Sequence, residues 1–168
     1  LKTGQRQCED MGGRLGRLLV VGAALWPGAC GAEHDPVKRV MEFDPPAAGM
    51  GTQYRMVTSL QAGQEIERCQ FFVAPPEGLS INRDEVRYTP GSHHVLLYLT
   101  SYDKIPMMDR RGKAHNTQGV IDCPSGAGAD WNIRQVIAGA QSAEGGSMIA
   151  FPPDVAIKVP GNAVLLMN

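Results

Sequence analysis

The sequence predicts an all-β domain, a sandwich or barrel of short strands. From about Gln53 onward, short apolar stretches alternate with turn chemistry, and 20 Gly and 12 Pro are spread along the 168 residues without a collagen period. The body shows no convincing helical repeat of apolar residues. Many short strands with Gly/Pro turns are the pattern of sandwiches and barrels.

The elements follow in order. Tyr54 to Leu60 is the first predicted strand, closed by Gln61-Ala62-Gly63. Glu65 to Val73 is the second; Cys69, Phe71 and Val73 share one parity and so one face. Ala74-Pro75-Pro76-Glu77-Gly78 ends it, because proline cannot donate to a ladder. Leu79 to Tyr88 holds another strand, and Thr89-Pro90-Gly91 is a turn signal. His93 to Thr100 is the strongest strand, apolar on both parities from Val95 to Leu99 and so buried on both faces. Tyr102 to Asp122 is polar and irregular, a long surface excursion of the kind that is usually functional. Trp131 to Ala138 reads as a strand or one helical turn, and Gln141 to Gly146 as loop. Val155 to Val159, Pro160-Gly161-Asn162 and Ala163 to Met167 read as a hairpin.

The N-terminal part reads as a leader at residues 1–30. From Met11, Arg14 and Arg17 form a basic region, and Leu18 to Leu25 an apolar one of signal-peptide length. Small residues then precede Cys30, as in bacterial lipoprotein signals, where the cysteine is lipidated after cleavage; Pro27 stands where such signals carry leucine. Residues before Met11 lack signal character and fit a misplaced start, while a short buried helix at 14–25 is the competing interpretation. Residues 31–51, polar and rich in proline and glycine, form a tether, and residues 52–168 the domain. Export leaves Cys69 and Cys123 as the cysteines of the body: one disulfide in an oxidising compartment, or two buried thiols in a reducing one.

The charge balance, 16 basic against 17 acidic residues, argues against a nucleic-acid binder. No apolar run reaches the roughly 18 residues of a membrane-spanning helix, so a membrane is reached only through a lipid anchor. His93-His94 is the feature that asks for a chemical account, since imidazole is a good ligand for copper and zinc. Neighbouring strand residues point to opposite faces, so both rings reach one ion only if the strand begins irregularly, which Pro90-Gly91-Ser92 can supply. Two structural strand histidines are the competing interpretation. His34 and His115 read as solvated, and Met148 and Met167 as packing residues with soft-ligand character. No nucleophile elbow, His-Glu-X-X-His motif or phosphate loop is present.

Ala62 to Phe72, Gly91-Ser92-His93-His94-Val95-Leu96-Leu97-Tyr98, Asp122-Cys123-Pro124 and Phe151 to Gly161 together resemble the N-terminal copper domain of the copper type II, ascorbate-dependent monooxygenases. That family includes peptidylglycine α-hydroxylating and dopamine β-monooxygenases. The resemblance covers about Thr52 to Asn168. It implies an antiparallel jelly-roll β-sandwich braced by a Cys69–Cys123 disulfide, with His93 and His94 as two of three copper ligands. It implies an electron-transfer role. The copper passes an electron to a second copper in a C-terminal domain, which reduces O2 and hydroxylates a C–H bond, with ascorbate or another reductant reloading both metals. The family's third ligand is a histidine expected just beyond Asn168, with Met167 a weak substitute. No catalytic residue is expected within this stretch, whose C-terminal copper domain is missing, so the chain reads as the front portion of a longer enzyme. The alternatives are a non-catalytic sandwich module of a surface lipoprotein, using the long excursion as its contact surface, and a copper-delivery protein.

Overall fold

The computed structural model describes residues 43–168. The leader at 1–30 with its lipidation site Cys30, and most of the tether, lie outside the described residues. The regular structure of the described chain is nearly all β-strand. Its strands are β1 (Arg68–Val73), β2 (Leu79–Ile81), β3 (Arg83–Arg87), β4 (Val95–Thr100), β5 (Ile121–Asp122), β6 (Ile133–Ala140), β7 (Gly146–Ala150), β8 (Ile157–Val159) and β9 (Val164–Met167). One four-residue helical turn, α1 (Ala127–Asp130), interrupts them.

An antiparallel five-stranded sheet runs β5-β1-β9-β4-β6, and two further ladders pair β2 with β8 and β3 with β7. The main sheet ends at β5 and β6 and does not close into a barrel. Its central strands are buried on both faces. On one face Cys69, Phe71, Ile121, Cys123, Trp131, Val164 and Leu166 form a cluster joined by Tyr98, Tyr102 and Ile105. On the other, Leu97, Leu99, Ile137, Leu165 and Met167 pack against Leu79 and Ile81 of β2 and Ile157 and Val159 of β8. Alternation explains the division: 164 and 166 face one way, 165 and 167 the other. The apolar run on both parities of β4 and β9 is thus the mark of a central strand.

The expected hairpin at Val155–Met167 is not a hairpin. β8 and β9 belong to different ladders, and so do β1 and β2. Val73 faces Val164 on one side of a corner and Leu79 faces Val159 on the other. One antiparallel ribbon, β1–β2 against β9–β8, therefore bends over as a unit, with an extra residue in the Ala74–Gly78 turn absorbed at the bend. The two turns are welded there. Ala74 N donates to Ala163 O (2.9 Å) and Asn162 N to Pro75 O (3.3 Å). A Cβ on Gly161 would lie 1.9 Å from Pro76 O, so only glycine admits that approach. The turn is legible in the sequence, but it carries the chain from one ladder to the next and does not join two partners.

Other expectations shift in detail. Tyr54 to Leu60 forms no strand; Tyr54 meets Phe72 edge-on (centroids 5.2 Å) and packs with Met56 on the second cluster, so side chains rather than a ladder hold the segment. Leu79 to Tyr88 splits at Asn82 into two strands with different partners. Strand β7 falls where none was expected: its exposed Met148 and Ile149 show no clear alternation.

The long excursion is less solvated than its sequence suggests. Tyr102 and Ile105 pack beneath the sheet, and Asp109 organises the tip by accepting hydrogen bonds from the backbone N–H of Arg111 and Lys113 (both 2.9 Å) and from His115 Nε2 (3.0 Å). His115, expected to be solvated, instead lies half-buried, its ring 5.3 Å from that of Trp131. The hydrogen bond from His115 is the first cause that holds the Asp109 carboxyl below its ordinary value of 3.8, followed by the two backbone donors. A depressed carboxyl stabilises the loop fully above the unfolded value and loses that contribution as pH falls through the lower folded one. Amide protection at 108–115 is therefore expected to hold from neutrality to about pH 4 and to fall below it. Asp109→Asn should lower protection at neutral pH and flatten the acid dependence, read by hydrogen exchange.

Candidate metal centre

Residues Thr89 to Ser92 form a turn, closed by Ser92 N donating to Thr89 O (3.1 Å), with Gly91 at φ 97°. β4 begins only at Val95, so His93 and His94 precede the regular ladder and escape its alternation. Both rings lie together, with centroids 5.1 Å apart, planes at 57°, and the two Nδ1 atoms facing each other at 3.3 Å.

Each outer nitrogen meets a side-chain amide. His94 Nε2 lies 3.2 Å from Asn168 Oδ1, and His93 Nε2 lies 3.1 Å from Gln141 Nε2. Asn168 is delivered by the backbone: its N–H donates to Leu96 O (2.9 Å) and its carbonyl accepts from Leu96 N–H (2.8 Å), extending the β4–β9 ladder. Its amide also donates to Arg68 O (3.0 Å), which ties it to β1 beside Cys69. Gln141 is delivered by the loop after β6, where Tyr88 Oη accepts from Ser142 N–H (2.6 Å) and donates to Ser142 O (2.8 Å).

The pair suits a shared ion. Imidazole–metal bonds of about 2.0–2.1 Å would let nitrogens spaced 3.3 Å apart reach one ion. Ligand histidines ordinarily have their outer nitrogen engaged, and both of these do. Among the described residues no group of three or more His, Cys, Asp or Glu is gathered, so the pair stands as two donors.

Met167 is not brought to the pair. It is buried with Leu97 and Ile137 in the second cluster, whereas Asn168, one residue on, shares His94's side of the sheet. Met148 is exposed on β7. The disulfide Cys69–Cys123 is present, with both cysteines fully buried and β1 joined to β5 at that point. Sequence reading missed Gln141, Asn168 and Tyr88. Amides and a tyrosine carry no motif, and only the ladder register and the loop path bring them to the histidines.

Comparison with family models, with curated proteins and with solved structures returns no match for this chain.

Proposed function

We propose that this chain is the electron-transfer copper domain of an exported, copper-dependent monooxygenase, which hydroxylates a C–H bond with O2 and a reductant such as ascorbate. One observation carries the reading: two adjacent imidazoles bring their Nδ1 atoms within 3.3 Å of each other while their Nε2 atoms lie beside side-chain amides. The folded-over ribbon, with a layer on either side of the bend, supports the finer reading of a jelly-roll sandwich.

Bound at the pair, copper supplies one-electron redox chemistry. His93 and His94 hold it, Asn168 and Gln141 orient the rings, and the ladder around Leu96 limits rearrangement between oxidation states. The third ligand is the histidine expected just beyond Asn168. Oxygen chemistry belongs to a second copper domain, and the substrate is fixed there.

The test is copper stoichiometry in the full chain. About one equivalent is expected, and His93→Ala with His94→Ala should abolish uptake while circular dichroism and the disulfide are unchanged. Unaltered stoichiometry in that variant refutes the reading. A lipoprotein binding module is the second reading, favoured by the exposure of Met107 and Met108, 73% and 59%, at the tip of the excursion. It predicts a protein that binds no copper and loses partner binding when those methionines become serine.

A further inference from the structure

The hydrogen bonds around the histidines run in one direction. Asn168 Nδ2 donates to the Arg68 carbonyl, which fixes the amide and leaves Oδ1 facing His94 as an acceptor. His94 Nε2 is therefore the donor in that contact, which leaves its Nδ1 to accept. Across the gap, His93 Nδ1 must then be the donor. The His93 lone pair falls on Nε2, which accepts from the Gln141 amide NH2. All four groups are satisfied with a single polarity.

That arrangement is not ready for a metal. The His93 nitrogen facing the shared point bears a hydrogen, while its lone pair points away toward Gln141. For both Nδ1 atoms to ligate, His93 must carry its hydrogen on Nε2, and the group opposite must become an acceptor. An amide does this by turning its end through half a rotation, since its oxygen and nitrogen are nearly the same size. Asn168 cannot turn in the same way without losing Arg68 O. Gln141 has no second hydrogen bond among the described residues, and its exposed position leaves room to turn. Its backbone stays in place meanwhile, because Tyr88 Oη grips Ser142 on both its N–H and its carbonyl.

We propose that Gln141 is a positioning residue that sets the His93 tautomer, its amide turning from donor to acceptor when a metal ion enters between the two Nδ1 atoms. The inference rests on the copper reading and deepens it: the pair exists in a closed, internally hydrogen-bonded form and an open, ligating form, and Gln141 satisfies both. A carboxylate at 141 satisfies only the open form, and an aliphatic side chain neither.

Nitrogen-15 NMR of the full chain, labelled in histidine, tests it. Without metal, the unsubstituted protein is expected to show His93 protonated on Nδ1 and His94 on Nε2. Addition of Cu(I), which is diamagnetic, should move the His93 hydrogen to Nε2. In Gln141→Glu the metal-free His93 should already carry its hydrogen on Nε2. Cu(I) affinity, measured by competition with a chromophoric chelator, should fall about tenfold in Gln141→Leu and should not fall in Gln141→Glu. A side chain needed only for packing would weaken binding in both variants, so equal losses overturn the inference. So does normal Cu(I) uptake by a protein whose metal-free His93 already bears its hydrogen on Nε2. If the unsubstituted chain takes up no Cu(I), the copper reading fails and this inference falls with it.

Discussion

Replacing Cys69 and Cys123 together by alanine is expected to lower stability by about 4 kcal/mol, from the chain entropy released when a long loop is opened. The two residues are 54 apart in sequence, and both are fully buried in the first cluster, so the loss adds a small packing defect to the entropic term. For a domain of this size that corresponds to a fall in Tm of more than about 10 °C. The effect should also reach the histidines. Cys69 adjoins Arg68, whose carbonyl holds the Asn168 amide against His94, and Cys123 N–H donates to Glu67 O (2.9 Å) at the start of β1. The variant should therefore show faster hydrogen exchange at Arg68 and Asn168 as well as a lower urea midpoint. A midpoint shift worth less than about 1 kcal/mol would mean that the bridge joins segments already fixed by packing.

Trp131→Ala should cost about 3–5 kcal/mol, the range for removing a large aromatic from a core. Trp131 is 1% exposed, meets Phe71 edge-on at a centroid distance of 4.9 Å, and lies against His115. It also stands at the junction where α1 ends and β6 is about to begin. Its ring nitrogen is buried without a hydrogen-bond partner among the described residues. That donor already costs stability, so Trp131→Phe removes a liability along with some volume. The expected penalty for Trp131→Phe is below about 1.5 kcal/mol, well under that of alanine. Equal penalties for the two variants in urea unfolding would show that the indole nitrogen contributes to the fold after all.

The sequence made the class and the central strands legible for one reason: burial on both faces leaves an unbroken apolar run, as in Val95–Leu99 and Val164–Met167. Ladder partners were not legible. Pro160-Gly161-Asn162 has the same chemistry whether it joins two strands of one ladder or carries a chain between layers, and the contact that decides, Gly161 against Pro76, is distant in sequence. Tyr54 and Met56 alternate like a strand because alternation records a buried face, not a hydrogen-bonded edge. At the site, the histidines were visible as residue types and the break in strand regularity as Pro90-Gly91. Gln141 and Asn168 were invisible, because what recruits them is the register that sets Leu96 opposite Asn168 and the loop that Tyr88 pins.

The position of β9 has a consequence for biosynthesis. It is the latest of the strands in chain order, yet it lies between β1 and β4. While the polypeptide is being made, those two strands emerge from the ribosome with no neighbour between them, their apolar faces and ladder edges uncovered. The middle of the sheet is filled only when Val164–Met167 arrives, so assembly must wait for the end of this stretch and then proceed by long-range pairing, which is slow. A nascent chain halted before Val164 is thus a ready substrate for holdase chaperones.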